Sequence, residues 1–154
     1  MNKKLLLTCL LSFVTIVCFA QSDKKLSSLI SSGNKVFIEI NDINKNTDGA
    51  YDSFKRHLES DEWSRWDLVQ SAEEANFVCR LNIEKKGFNI MSATSSGARV
   101  RVVTEILTPL GDSIWKSKRQ QGNVSIYTGG DALSDAMRKV IRRSLTVELY
   151  GEKK

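Results

Sequence analysis

The chain has 154 residues, 41% of them hydrophobic, and 23 Lys and Arg against 18 Asp and Glu give a formal charge of +5. That length fits one domain, and the ordinary apolar fraction with charges of both signs argues against intrinsic disorder. A single histidine excludes any site that needs two imidazoles from one subunit.

Residues 1–20 read as an export signal. Lys3 and Lys4 form a positive n-region, residues 5–19 are uncharged and mostly apolar, and Cys18 and Ala20 put small residues at −3 and −1 of a cut before Gln21. The apolar stretch is shorter than the ~20 residues that cross a bilayer, and polar residues 21–25 follow it without anchoring flanks. Lipid attachment at Cys18 is the weaker reading, because Thr15, Ile16 and Val17 depart from the Leu-small-small pattern before a lipidated cysteine. Cleavage leaves 134 residues, a charge of +3 and Cys79 as the one cysteine. No intramolecular disulfide or cysteine-based metal site is then available, and no transmembrane segment is expected in the mature chain. So slight a charge gives no reason to expect nucleic acid. The expected location is periplasmic or secreted.

The remaining elements follow in chain order. Residues 21–34 are Ser-rich and polar, with Leu26, Leu29 and Ile30 at helical spacing, and read as a linker with a helical turn or two. Val36, Ile38 and Ile40 mark a strand, because β-branched residues on one face suit a pleated surface. A loop rich in Asn and Asp leads to an amphipathic helix marked by Tyr51, Phe54 and Leu58. A brief strand is expected over residues 66–69, and Ser71 with Glu74 makes a capping box that predicts another helical turn. Phe77, Cys79, Leu81 and Ile83 alternate with Val78, Arg80, Asn82 and Glu84, giving an apolar and a mixed face, and Val100, Val102, Thr104 and Ile106 share one face of a second stretch, so two long strands flank the connection 86–98. Thr108-Pro109-Leu110-Gly111-Asp112 reads as a turn into a third strand over residues 113–120 that carries Trp115. Asp131 is the N-cap of a final helix whose apolar face runs Leu133, Ala136, Met137, Val140, Ile141, Ser144, Leu145 and Leu149. Residues 35–150 therefore form a single α+β domain, with residues 151–154 as a tail. The expected architecture is a two-layer sandwich: a mixed, mostly antiparallel sheet of three to five strands with two helices on one face.

Candidate chemistry is sparse. Asn44, Asn46, Asp48, Gly49 and Asp52 follow calcium-loop spacing, but Lys55 stands where a bidentate Glu is needed. They read as a loop whose side chains satisfy their own backbone, with Thr47 or Asp48 capping the helix. Glu59, Asp61 and Glu62 beside Trp63 and Trp66 suggest a glycoside-cleaving pair with a stacking platform, the basis of an alternative reading as an envelope-polymer hydrolase. Solvated acids and packed tryptophans are the simpler reading. Cys79 faces the apolar side of its strand as an inert thiol, and His57 reads as a surface residue. Gly129-Gly130 lacks the spacing and the Lys of a phosphate loop. No catalytic residue, metal ligand or cofactor is assigned.

Two groups stand out as contact surfaces. Phe88, Ile90 and Met91 lie on the 86–98 tip, where they either tuck onto the sheet or form a patch. Arg138, Lys139, Arg142 and Arg143 lie largely outside the last helix's apolar face and could meet anionic headgroups or an acidic partner. A third alternative, a small-ligand binder, needs an enclosed apolar pocket on the sheet's open face. Oligomeric state is not legible.

The stretch Ser71-Ala-Glu-Glu-Ala-Asn76-Phe-Val-Cys-Arg-Leu-Asn-Ile83, then Leu107-Thr-Pro-Leu-Gly-Asp-Ser-Ile-Trp115 and Gln121-Gly122 before a terminal helix, resembles a group of bacterial envelope domains over residues 35–150. These are the TolB amino-terminal domain, the curli secretion lipoprotein, lipoprotein activators of peptidoglycan synthases, and related exported domains. Asn76 stands where Asp is usual in them, and the lipidation signal is missing. The resemblance implies an α/β sandwich acting as a non-catalytic binding or assembly module, with an envelope protein or polymer as partner. It transfers no functional residue.

Overall fold

The structure is a computed structural model and describes residues 26, 28–31, 34–43, 49–60, 63–86, 99–123 and 131–152. The expectations for the export signal, the tip residues Phe88, Ile90 and Met91, the Asn44–Asp48 part of the loop, Asp61, Glu62 and Gly129-Gly130 lie outside these residues.

Among the described residues six strands make one mixed sheet: β1 (Asn34–Asp42), β2 (Trp66–Val69), β3 (Phe77–Lys86), β4 (Arg99–Leu107), β5 (Ser113–Lys116) and β6 (Gln120–Asn123). The order is β2-β1-β3-β4, with β5 and β6 sharing the far edge of β4. β1 pairs parallel with both β2 and β3, whereas β4 is antiparallel to its neighbours. Parallel neighbours need a crossover, and helix α1 (Ala50–Leu58) supplies it between β1 and β2. The long β3–β4 ladder runs from Val78↔Leu107 to Lys86↔Arg99, so the two alternating stretches form the expected hairpin.

Period-two patterning decides which face is covered. Val36, Ile38, Phe77, Cys79, Leu81, Ile83, Val100, Val102 and Ile106 share one face, and all are buried beneath the helices. α1 contributes Ala50, Phe54 and Leu58 to that core. The last helix, α2 (Ala132–Lys139), runs on into a π-helical segment over Val140–Leu149. Together they bury Ala136, Met137, Val140, Ile141 and Leu145. Each such buried aliphatic or aromatic side chain contributes about 1.5–3 kcal/mol, which makes this seam the main source of stability.

The molecule is therefore an α+β sandwich with both helices on one face of the sheet. Asp131 caps α2 as expected, its Oδ1 accepting from the Leu133 N–H at 2.6 Å. Four local expectations need correction. The N-cap residue of α1 is Gly49, in a left-handed conformation (φ 78) and with no side-chain cap, where a capping side chain was expected. Residues 71–76 form turns rather than a capped helix, because Ala75 N–H closes onto Ala72 O (3.2 Å) and Asn76 is already bonded to β1. Asn76 N–H donates to Lys35 O (2.9 Å) and its Oδ1 accepts from Lys35 N–H (2.9 Å), which ties the start of β3 to β1. The strand expected over residues 113–120 is broken into β5 and β6. Lys116 faces Glu105 and Gln120 faces Val102, so three residues oppose two. Ser117 fills this bulge: its N–H donates to Thr104 O (2.8 Å) and its Oγ accepts from Thr104 N–H (2.9 Å).

The fourth concerns the stretch read as a linker. Ile30 is buried, and Leu26 and Leu29 pack against the core. Tyr150 pins this turn, since its hydroxyl donates to Ile30 O while accepting from Trp66 Nε1 (2.7 Å). Trp63 meets Trp66 and Tyr150 edge-on, with ring centroids 4.7 and 5.9 Å away. Arg65 lies 4.7 Å over the Tyr150 ring and chelates Glu152 with contacts of 2.7 and 2.6 Å. Burial pushes the Tyr150 phenol up to about 12. This cluster joins both ends of the domain.

Candidate interaction surface

The two outer surfaces of the sandwich differ in how their charges are used. On the sheet side, cross-strand neighbours alternate in sign along one rung: Glu39, Arg80, Glu105, Lys116. Arg80 Nε reaches Glu39 at 3.0 Å, and Lys116 Nζ reaches Glu105 at 2.7 Å. Arg101 adds a looser pair with Glu84 at 3.8 Å, and Asn41 donates to Asn82 at 2.7 Å. The Lys116 hydrogen bond, set against the opposing effect of burial, holds the Glu105 carboxyl below the usual carboxylate range. Such cross-strand pairs stabilise the middle of the sheet, while towards one end of the same face Val78 and Leu107 are buried.

The helix side differs. Asp135 is its internal hub: Oδ1 accepts from Arg138 Nη2 (2.8 Å), and Oδ2 accepts from Lys139 Nζ (2.7 Å) and Asn123 N–H (3.2 Å). Burial opposes ionisation there, yet these donors hold Asp135 down at about 2. Lys139 also donates to Gln121 O (2.8 Å), so of the four cations expected to point outward it is turned in and ties α2 to β6. Arg138, Arg142 and Arg143 are exposed, in agreement with their place outside the apolar face.

α1 adds two residues to this surface. Arg56 is exposed, and His57 is half-buried with Nε2 3.4 Å from Ser134 Oγ on α2. Burial, and then the charges of Arg56, Arg138 and Arg142, push His57 below its ordinary value, with the Ser134 contact opposing. Sequence reasoning missed this junction, although the basic last turn of α1 (Lys55, Arg56, His57) was the signal for it. Helical periodicity assigns faces within one helix and not which faces of two helices meet.

The other candidates are not assembled. Trp63 is 3% exposed and presents no ring face to a sugar, while Glu59 points to solvent 3.8 Å from Lys55 Nζ. Cys79 is fully buried on the sheet's core face, and desolvation pushes its thiol up, which makes it inert. Among the described residues no three of His, Cys, Asp and Glu are grouped to hold a metal ion, and no helix is long and apolar enough to cross a membrane.

Fold and surface together define a small α+β sandwich that presents charged surfaces. No family model matches the chain, and no curated protein does either. Among solved structures it is similar to the PelC dodecamer from Paraburkholderia phytofirmans, at 14% identity over 76% of this chain and 88% of that one, with a TM-score of 0.49. A single-substitution variant of that PelC aligns at 15% identity over 74% and 87%, with a TM-score of 0.47. Protein XCC0632 from Xanthomonas campestris, a DUF330 protein, aligns at 10% identity over 79% and 86%, with a TM-score of 0.49.

Proposed function

We propose that the chain is an exported, non-catalytic binding or assembly module of the cell envelope. The observation that carries this reading is the contrast between the two outer surfaces. Arg80, Arg101 and Lys116 on the sheet side each face a carboxylate on a neighbouring strand, whereas the helix side carries the exposed Arg56, Arg138, Arg142 and Arg143, of which Arg138 pairs with Asp135 on its own helix. A cationic surface of that kind recruits partners by charge, and it needs no reacting groups. Export is supported by the n-region, apolar core and small residues of the first twenty positions. The hydrolase alternative has less support, because its stacking tryptophan is buried in the core.

The test uses the full chain expressed in a Gram-negative host. The expected product has Gln21 as its N-terminus and lies in the periplasmic or secreted fraction. A photo-crosslinker in place of Arg143 then yields envelope adducts, and one in place of Lys35 on the sheet side does not. A full-length cytoplasmic product refutes export. Equal crosslinking from both positions refutes the assignment of the surface.

A further inference from the structure

The end of the last helix is wound in a way that its own sequence does not favour. At α spacing, Ile141, Leu145 and Leu149 follow one another at four-residue steps, and Thr146 falls about 140° from Ile141, on the polar side. The structure winds Val140–Leu149 as a π-helix instead. Ser144, Leu145 and Thr146 are consequently buried in succession, and Leu149 is only half-buried. Two hydrogen bonds reach five residues back, from Thr146 Oγ1 to Ile141 O (2.8 Å) and from Tyr150 N–H to Leu145 O (3.1 Å).

Winding of this kind is rare over ten residues and needs a cause outside the segment. Both ends supply one. Upstream, α2 is fixed to β6 by Lys139 Nζ to Gln121 O (2.8 Å) and by Asn123 N–H to Asp135 Oδ2 (3.2 Å). Downstream, Tyr150 is held between Trp66 Nε1 and Ile30 O, and Glu152 is held by Arg65. Compared with an α-helix, a π stretch of this length holds about two more residues in the same number of turns, so it takes up chain between two fixed ends. We propose that Val140–Leu149 is a two-state element: docking of the N-terminal turn (residues 26–31) on Tyr150 holds it in the π winding, and undocking of that turn lets it rewind to α.

The turn is the releasable end. It holds Tyr150 through one hydroxyl-to-carbonyl hydrogen bond, backed by the packing of Leu26, Leu29 and Ile30 on the core. Rewinding leaves residues 131–139 in place and rotates those that follow, most of all at the far end. Thr146 swings outward, Leu149 turns in, and Glu148 leaves the Lys118 N–H from which it accepts at 3.1 Å. Arg142 and Arg143 lie on the rotating part, so the state of the turn sets how the helix side presents them. That consequence rests on the reading of the helix side as a binding surface, whereas the exchange of windings does not.

The experiment follows backbone NMR contacts over residues 140–149 in the full chain as the Gram-negative host processes it. Contacts between residues five apart are expected in the wild type. Ile30→Ser, which lies outside the helix, and Tyr150→Phe are each expected to replace them with contacts between residues four apart, with residues 131–139 unchanged. In a Thr146→Cys background, thiol labelling is expected to accelerate by about tenfold or more when Ile30→Ser is added. Cys79 is buried and stays silent in that assay. Four-residue contacts in the wild type overturn the inference. So do five-residue contacts that persist in both variants while digestion shows the turn released, and so does unfolding that spreads into residues 131–139. If the windings exchange but Arg143 gives no envelope adducts, the binding reading fails and this inference stands.

Discussion

Replacing Gly122 by alanine is the sharpest test of the packing that orients the helix layer. Gly122 lies on β6 opposite Val100, and α2 runs directly over it. A Cβ added there would stand 1.9 Å from Ala132 O, 2.6 Å from Ala136 N and 2.8 Å from Ala136 Cβ. Two of those three atoms are helix backbone, which cannot swing aside as a flexible side chain can. Reaching even the closest separation that real Cβ atoms show, 3.0 Å, requires α2 and β6 to part by about 1.1 Å. Overpacking of this kind costs about 1–3 kcal/mol. The same gap is bridged by Lys139 Nζ to Gln121 O (2.8 Å) and by Asn123 N–H to Asp135 Oδ2 (3.2 Å), which the displacement stretches. Their loss adds about 1–2 kcal/mol once solvent replaces part of it. Urea unfolding of Gly122→Ala is therefore expected to show a loss of about 2–5 kcal/mol, a large share of a domain's usual 5–15 kcal/mol. Gly111→Ala is the control, since its added Cβ meets nothing within 4 Å and its cost comes from a positive φ of 95, at about 1 kcal/mol. A Gly122→Ala protein within about 1 kcal/mol of wild type refutes the close-approach argument.

Asp135→Asn should lower stability by about 1 kcal/mol near neutral pH. Its carboxyl lies at about 2 in the fold against 3.8 ordinarily, so the contribution is whole above 3.8 and disappears as pH falls toward 2. Chemical melts of wild type and variant should converge over that interval, and a gap of constant size refutes the assignment. Asn76→Ala removes the acceptor for Lys35 N–H and should cost about 1–2 kcal/mol by urea unfolding, whereas Asn76→Asp keeps an oxygen there and should cost less than half as much. Equal losses refute that role. Tyr150→Phe leaves Trp66 Nε1 without its 2.7 Å partner and frees the turn at Ile30. Tryptophan emission should shift to the red, and proteolysis near residues 26–31 should accelerate; unchanged digestion would show that Leu26, Leu29 and Ile30 are held by other contacts.

The elements were largely legible because their causes are local. Alternation over Phe77–Lys86 and Arg99–Leu107 predicts two strands with one apolar face, and both form with that face buried. Asp131 announces α2 because an N-cap needs an oxygen acceptor and nothing from the rest of the chain. Failures occur where a distant partner decides. Ser71 and Glu74 fit a capping box, yet Asn76 is claimed by Lys35, 41 residues earlier, and no room for a helical turn is left. Ser117 sits in a run that reads as one strand, but its side chain takes the Thr104 N–H and splits the strand in two.

Length, charge and patterning by themselves thus determine an α+β sandwich, the sheet's buried face, the fate of Cys79 as an inert core thiol, and which arginines of the last helix point outward. Each is a property of periodicity or composition. Only the tertiary structure decides that Lys139 turns inward, that Gly122 is a contact between backbones, that Ile30 is buried with Leu26 and Leu29 packed against the core, and that His57 meets Ser134 of the last helix. Those outcomes depend on which surfaces of separate elements pack together. Side-chain spacing along one element carries no record of the neighbour it will meet.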